Sequence, residues 1–470
     1  MRFSAIRPWY RSCTTRAGSK RAAGETECSA APTDEGGDLG DTGDATAPGA
    51  PDDPNALDDL LAEAEVLRAD HAWREGDVDR ADALFASAAR RSVDAGRPWD
   101  AAEPLARRAR LLGMLGRPQE AESAARAALE HGAELVAADE LGRLRLTLAD
   151  VLYEQGGRDA EAAEYALEAA HWFDAAGESA GAGAYARLLL AQAYGDSGRH
   201  AEAAEVLESA LPDLLEHGEE QTVRARETLG RNLRALGDRR AAAEQYLLAA
   251  EVAGGWEDER PQAQLATLAA ESLSEAGLRE EAVAAYHRAI ELWRGVGEPV
   301  ATARALRSVA WLEVRAGDQD TAKELMAQAA AAVDGENDEH LVERARTWSQ
   351  TGELLLNELY EDEDEDDEEE DEEPDENATP PADALRIREE ALRLLEQAAS
   401  AFATLGADVL DERVRCVVRM AWTEQEMDRT DAGAARLRTL IDEVSIVDTD
   451  DARTLLTRLE HTLKQLTQQG

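Results

Sequence analysis

Residues 237–249 read GDRRAAAEQYLLA, and the same spacing of small residues returns about every 40 residues along the chain. In this stretch Gly237 is followed five residues later by Ala242 and seven residues after that by Ala249. The other copies are Gly76-Ala81-Ala88, Gly116-Ala121-Ala128, Gly157-Ala162-Ala169, Gly198-Ala203-Ala210, Gly277-Ala282-Ala289 and Gly317-Ala322-Ala329. A regular period of this size predicts a solenoid, in which each unit buries its apolar face only against its neighbours.

Each copy predicts two antiparallel helices joined by a tight turn. Around Gly237 we expect a first helix over 222–236 and a second over 240–252. Glycine suits the turn because a helix commonly ends in a left-handed residue. Most first helices also carry a small residue seven positions before the turn, which lets the two helix axes come close. These residues are Ala69, Ala109, Ala191, Gly230, Ala270 and Ala310, and repeat 3 has Asp150 instead.

A larger residue usually sits between the two alanines of the second helix. It is Phe85, Leu207, Tyr246, Tyr286 or Met326, whereas repeats 2 and 3 have Ala125 and Ala166. We therefore expect looser packing in those two repeats.

These positions resemble the tetratricopeptide repeat family, and Tyr153 and Tyr194 match its first-helix aromatic. The family's usual tryptophan and closing proline are missing, and the unit is about six residues longer than the 34-residue norm. Longer units of this kind are similar to repeats in bacterial regulatory and adaptor proteins. The resemblance implies an all-α, right-handed solenoid of about nine helical hairpins, whose concave face, lined by first helices, binds peptides.

The repeats predict four regions. We expect residues 1–56 to be a disordered arm, rich in Gly, Thr, Ala, Pro and Asp, or alternatively an overlong gene start. Residues 57–360 hold repeats 1 to 7 and the first helix of repeat 8. An acidic, disordered insertion covers 361–383, and residues 384–470 complete repeat 8, add repeat 9 and end in a capping helix.

The composition excludes several classes of partner. The formal charge of -49 repels phosphate backbones and anionic membranes, so we expect neither nucleic acid nor a membrane as partner. Three cysteines, Cys13, Cys28 and Cys416, are too far apart to form a disulfide framework or a metal site. Arginine greatly exceeds lysine and alanine is abundant, which indicates a GC-rich bacterial gene, and a cytoplasmic protein is the default expectation.

Arginines recur where the repeat phase places the concave face. In a protein this acidic they favour an anion-recognising groove, and the alternative is neutralisation of glutamates on adjacent helices. Tryptophans at the same face could anchor a partner or belong to the inter-repeat core. The candidate binding residues are Arg224, Arg231, Arg234, Arg304, Arg307, Trp311, Arg315, Arg346 and Trp422, with Arg415 and Trp73 nearby.

The insertion begins with a run of consecutive acidic residues. They are Glu361, Asp362, Glu363, Asp364, Glu365, Asp366, Asp367, Glu368, Glu369, Glu370, Asp371, Glu372 and Glu373. Such a run repels itself and is typical of a solvated loop, or alternatively of a docking segment for a basic partner. We also consider that the run occupies the groove of Arg304, Arg307 and Arg315 and competes there with an acidic ligand.

Signs of catalysis are weak. Gly177 to Gly181 matches G-x-S-x-G, but a nucleophile elbow needs a strand before its turn, and helices are expected on both sides of Ser179. The histidines show no metal-ligand spacing, so we expect no enzyme activity, no cofactor and no metal. The expected role is a scaffold or adaptor that binds a protein or peptide segment. The alternatives are a ligand-responsive regulatory sensor and an acidic chaperone for basic proteins.

Overall fold

The computed structural model describes residues 56–135, 137–177, 180–366, 382–447 and 449–469. Within these ranges all regular structure is helical: nineteen α-helices and three short 3-10 helices at Pro98–Ala101, Gly132–Glu134 and Ala407–Val409. The predicted all-α class is confirmed. Not one of the described helices combines the length and apolar character needed to cross a bilayer.

The α-helices form successive pairs, one pair for each repeat. Repeats 1 to 5 contain α1 (Ala56–Arg74), α2 (Val78–Asp94), α3 (Ala102–Met114), α4 (Pro118–His131), α5 (Ala138–Gln155), α6 (Asp159–Ala176), α7 (Ala180–Asp196), α8 (His200–His217), α9 (Glu219–Ala235) and α10 (Arg239–Ala253). Repeats 6 to 9 contain α11 (Arg260–Glu275), α12 (Arg279–Val296), α13 (Pro299–Val314), α14 (Gln319–Ala332), α15 (Asp338–Asp366), α16 (Ala382–Leu405), α17 (Leu410–Glu426) and α18 (Thr430–Val444), and α19 (Asp450–Gln469) follows. Odd-numbered helices up to α17 are the first helices of their repeats.

Each helix packs against the next one along the chain, which makes the stack a solenoid of helical hairpins. Several first helices also contact the first helix of the next repeat, as α3 does α5 and α13 does α15. In the described part of the chain, second helices make no contact of similar extent with one another. In those repeats the first helices therefore lie closer together than the second helices, and the surface formed by the first helices of successive repeats is called the first-helix face below.

The turns take the predicted left-handed conformation. Gly237 has φ +89°, a value that glycine reaches without steric cost. Repeat 9 uses Asp428 at the same place, with φ 58°, and Asp428 is the non-glycine residue with positive φ in the described ranges. The spacing continues from Asp428, because Gly433 and Leu440 stand where other repeats have their two alanines.

Small residues allow the close approach of paired helices, as the sequence predicts. A Cβ atom added at Gly230 would lie 2.8 Å from Tyr246 Cε1, so the bulk of the tyrosine fits because its partner is glycine. At Gly433 the added Cβ would lie 2.7 Å from the carbonyl oxygen of Ala421, which is backbone and cannot swing away. The alanines at the equivalent first-helix position, including Ala69 and Ala310, are fully buried.

Helix boundaries agree with the expected ones to within a few residues, with one correction. The predicted insertion begins at residue 361, but α15 continues to Asp366, since residues 361–366 contain neither glycine nor proline to end the helix. The second helix of repeat 8, α16, begins at Ala382. The predicted N-terminal arm up to residue 55 lies outside the described residues, as do residues 367–381, which include the rest of the acidic run.

Candidate binding face

Ion pairs connect successive repeats along the solenoid. Arg158 Nη1 lies 2.8 Å from Glu122 Oε2 of the preceding repeat, and Lys323 Nζ lies 2.6 Å from Glu358 Oε1 of the following repeat. These partners are 36 and 35 residues apart, close to one repeat length. Each of these two pairs therefore joins one hairpin to its neighbour in the stack.

The pair at Glu122 belongs to a network of two arginines and two glutamates. Arg126 contacts both Glu122, at 2.8 Å, and Glu161, at 2.5 Å, while Arg158 contacts the same two carboxylates. Burial alone would raise the pKa of Glu122, but hydrogen bonds from Arg158 and Arg126 outweigh it and lower the pKa to about 2. The network stays ionised at neutral pH and joins repeats 2 and 3.

In repeat 5 the three predicted arginines all have acidic partners. Arg224 pairs with Glu220 at 2.7 Å and Arg231 with Glu227 at 3.2 Å, each one turn away on α9. Arg234 reaches α11, where it contacts Glu271 at 3.3 Å and also Glu275. The contacts of Arg234 match the neutralisation of glutamates on adjacent helices that the sequence offers as an alternative, whereas Arg224 and Arg231 pair within their own helix. Partner binding by these three arginines stays a prediction.

Three predicted arginines meet at one buried carboxylate between repeats 7 and 8. Arg304 Nε lies 3.0 Å from Glu343 Oε2, Arg346 Nη1 lies 3.7 Å from the same oxygen, and Arg307 Nη2 contacts Glu343 Oε1. Arg346 Nη2 also lies 2.8 Å from Glu412 Oε1 of α17. We call Arg304, Arg307, Arg346 and Glu343 the arginine cluster.

Exposure differs sharply within the arginine cluster. The side chain of Glu343 is 0% exposed and that of Arg307 is 9% exposed, whereas that of Arg304 is 56% exposed. Burial lowers the pKa of Arg307, while Glu343 opposes the effect. The Nε of Arg307 is buried without a hydrogen-bond partner. The two Nη groups of Arg304 donate no hydrogen bond to any described residue, so this guanidinium ends in solvent.

The predicted tryptophans are half-buried rather than free on the surface. Trp311 Nε1 donates to Gln350 Oε1 at 3.2 Å across the repeat boundary. Trp422 packs at the edge of the core of repeats 8 and 9. Trp73 packs edge-on against Phe85, with the ring centroids 6.4 Å apart. Trp311 is the one of these that lies one helical turn from Arg307, beside the arginine cluster.

Arg315 and Arg415 stand apart from the cluster. Arg415 pairs with Asp411 on its own helix at 3.0 Å. Arg315 is exposed at the end of α13 and forms no ion pair within the described ranges. The repeat phase predicts the arginines on one face but does not predict their contact with Glu343. Glu343 follows Arg307 by 36 residues and Arg304 by 39. Both separations are close to one repeat length, and this spacing is the sequence signal for the contact.

An open cleft of about 480 Å³ lies elsewhere, between the end of α12 and the start of α13. Its lining includes Trp293, Pro299, Thr302 and Gln328, and no predicted binding residue borders it. Within the described residues no group of His, Cys, Asp or Glu side chains is arranged to hold a metal ion.

Within the described residues, the G-x-S-x-G motif is flanked by helices and not by a β-strand. Gly177 ends α6 in the left-handed conformation, and α7 begins at Ala180. Glu178 and Ser179 themselves lie outside the described residues. The described parts of the chain contain no strand that could support a nucleophile elbow.

Comparison with known proteins gave structural neighbours only. No family model matches the sequence, and a search of curated proteins found no match. The apo form of RapI aligns with 55% of this chain and 94% of its own, at 16% identity and a TM-score of 0.41. The C-terminal part of a TPR repeat-containing protein from Cytophaga hutchinsonii aligns with 59% of this chain and 98% of its own, at 13% identity and a TM-score of 0.43.

A third neighbour is a signal transduction ATPase with a tetratricopeptide repeat sensor from Pyrococcus horikoshii. It aligns with 86% of this chain at 11% identity and a TM-score of 0.40, and the chain spans about half, 53%, of that protein. Similarity at this level concerns the fold alone, and the solenoid is established by the helix order, the repeated turns and the packing described above. On those features the chain resembles the tetratricopeptide repeat proteins.

Proposed function

We propose that this protein is a non-catalytic scaffold whose first-helix face binds a segment of a partner protein. The observation that carries the proposal is the arginine cluster, where a buried glutamate holds an exposed arginine on that face. Fixed polar groups beside a half-buried tryptophan are what a protein-binding surface needs, because few contacts supply most of the binding energy.

The packing of the solenoid supports the choice of face. In several neighbouring repeats the first helices approach one another more closely than the second helices do. A stack with this spacing curves with its first helices inside, and a concave surface can surround an extended segment. Ion pairs such as Arg234 with Glu271 join neighbouring first helices, and the packing of each helix on the next holds the surface in place before a partner arrives. Preorganisation of this kind lowers the entropic cost of binding.

The proposal takes the cytoplasm as the location of the scaffold. Cys416 is buried as a free thiol, and burial raises its pKa to about 11, so the thiol is protonated and unreactive at neutral pH. Only three cysteines occur in the chain, too far apart along the sequence for a disulfide framework, and this usage suits a reducing compartment.

The test uses a display library of random peptides selected on the full chain. A photo-crosslinking amino acid replaces Arg231, on first helix α9, or Arg240, on second helix α10 of the same repeat. The two arginines are 57% and 74% exposed, so both positions accept the probe without disturbing the core. We expect selected peptides to crosslink from position 231 and not from position 240. Equal labelling from both positions, or failure to select any peptide, would overturn the proposed function.

A further inference from the structure

We infer that the arginine cluster is a subsite for an acidic side chain of the bound segment, with the outer edge of Arg304 as its ligand-binding group. The inference rests on the proposed function and names the chemistry of the partner at one place on the first-helix face. The occupant is the carboxylate of an aspartate or glutamate in the partner.

The orientation of Arg304 supports this assignment. A guanidinium presents donors along two edges, and Glu343 occupies the edge that carries Nε, at 3.0 Å. The opposite edge, formed by the two Nη groups, has the fork geometry that accepts a carboxylate through two parallel hydrogen bonds. With the side chain 56% exposed, an incoming carboxylate can reach that edge without moving another part of the protein.

The charge around Glu343 is not balanced. Three guanidinium groups share the carboxylates of Glu343 and Glu412, so one positive charge remains in excess. Arg307 retains a buried Nε without a hydrogen-bond partner, which shows that a single glutamate does not satisfy the donors gathered here. This local excess lies in a chain of formal charge -49, where it attracts an anion to one place and repels it elsewhere.

Glu343 acts as a positioning residue for this subsite. Its carboxylate is fully buried and contacts all three arginines. It therefore holds the arginines in place from the buried side and leaves the N–H groups that face solvent for a ligand. An arginine on an open surface loses much rotational freedom when it binds a ligand. Because Glu343 has already restricted Arg304, less entropy is lost when the partner's carboxylate docks.

The experiment measures coupling between Arg304 and an acidic residue of a selected peptide. Binding of the peptide and of its Glu→Gln version is measured for the wild-type chain and for Arg304→Gln. The control is Arg288→Gln, which removes the same charge from an exposed site on second helix α12. We expect the wild type and the control to bind the Glu peptide about tenfold more tightly than the Gln peptide, and Arg304→Gln to lose this preference.

The outcomes separate this inference from the function on which it rests. If peptides crosslink at position 231 but contain no enriched acidic residue, or if Arg304→Gln keeps the preference for glutamate, the subsite is wrong and the scaffold stands. If Arg288→Gln loses the preference as Arg304→Gln does, the effect is long-range charge and the subsite is again wrong. If the library yields no binding peptide, the proposed function falls together with the subsite.

Discussion

Asp150 shows how one side chain can set a repeat apart from its neighbours. It occupies the first-helix position at which the other early repeats have alanine or glycine. In repeat 5 the equivalent residue is Gly230, which faces the large Tyr246 of the second helix. In repeat 3 the sizes are reversed, because the larger Asp150 is on the first helix and the small Ala166 is on the second. The half-buried carboxylate accepts a hydrogen bond from Tyr185 Oη at 3.3 Å.

The replacement Asp150→Asn tests the consequence of placing a carboxylate there. Burial raises the pKa of Asp150 to about 7, with Glu154 adding to the effect and Tyr185, Arg110 and Arg224 opposing it. The unfolded carboxyl titrates near ~3.9, so the native state binds the extra proton between these values and its stability falls as pH rises toward 7. The asparagine variant has no such titration.

We therefore expect Asp150→Asn to be more stable than the wild type at about pH 8, by roughly 1–3 kcal/mol after allowance for solvent screening, and to approach it at about pH 5. Urea unfolding of both chains at the two pH values measures the difference. Tyr185 can still donate to the asparagine side-chain oxygen, so the variant keeps this hydrogen bond and differs from the wild type mainly in charge. Stability curves that run parallel across this pH range would contradict the prediction.

The candidate site was only partly predictable from single residues. Repeat phase predicts Arg304, Arg307 and Arg346 on one face, because residues one repeat apart lie on adjacent helices of a solenoid. It groups Arg304 and Arg307 with Arg315, whereas in the structure they meet Arg346 at Glu343. The phase did not reveal Glu343, since glutamate is rarely fully buried and its burial depends on the three arginines around it. The ion pairs of Arg231 and Arg224 follow from ordinary spacing of one helical turn.

At the scale of helices, the turn residue and the small residues at the helix contact determine how closely the two helices of a hairpin pack. The sequence predicted these elements well where glycine marks the turn, as at Gly237, where α9 and α10 start and end within a few residues of the expected positions. The turn of repeat 9 is harder to predict from the sequence, because Asp428 replaces the turn glycine and adopts φ 58°. A side chain in this conformation is normally disfavoured, so composition gave no reason to expect it.

Gly433→Ala tests whether α17 and α18 depend on a glycine contact. The new methyl group would lie 2.7 Å from the carbonyl oxygen of Ala421, so the helices must separate, and we expect a loss of about 1–3 kcal/mol. Gly113→Ala is the matched control, because an added Cβ meets nothing within 4 Å there.

The control should be neutral or stabilise α3 by up to about 1 kcal/mol, since alanine favours helix more than glycine does. Thermal and urea unfolding of the two variants give the comparison. If Gly433→Ala were as stable as Gly113→Ala, the contact between α17 and α18 would be looser than the structure shows.

At the scale of the whole stack, stability is a sum over repeats and the interfaces between neighbours. The helix α19 takes the place of a further first helix, because it packs on both α17 and α18. It buries Leu459 and Leu466 fully, while its opposite side carries exposed polar residues such as Thr457 and Lys464. The helix therefore closes this end of the core, which is the role predicted for it from its leucine spacing.

Truncation after Thr449 should therefore weaken the neighbouring repeats and spare the distant ones. Loss of Leu459 and Leu466 alone removes on the order of 3–6 kcal/mol of burial, from ~1.5–3 kcal/mol for each leucine. Hydrogen exchange should show protection in α17 and α18 reduced by ~100-fold or more, while α3 to α6 keep theirs, because coupling passes only between adjacent units. The distant repeats serve as the internal reference. Equal loss of protection along the whole chain would mean that the solenoid unfolds as a single cooperative unit, and the nearest-neighbour description would then be wrong.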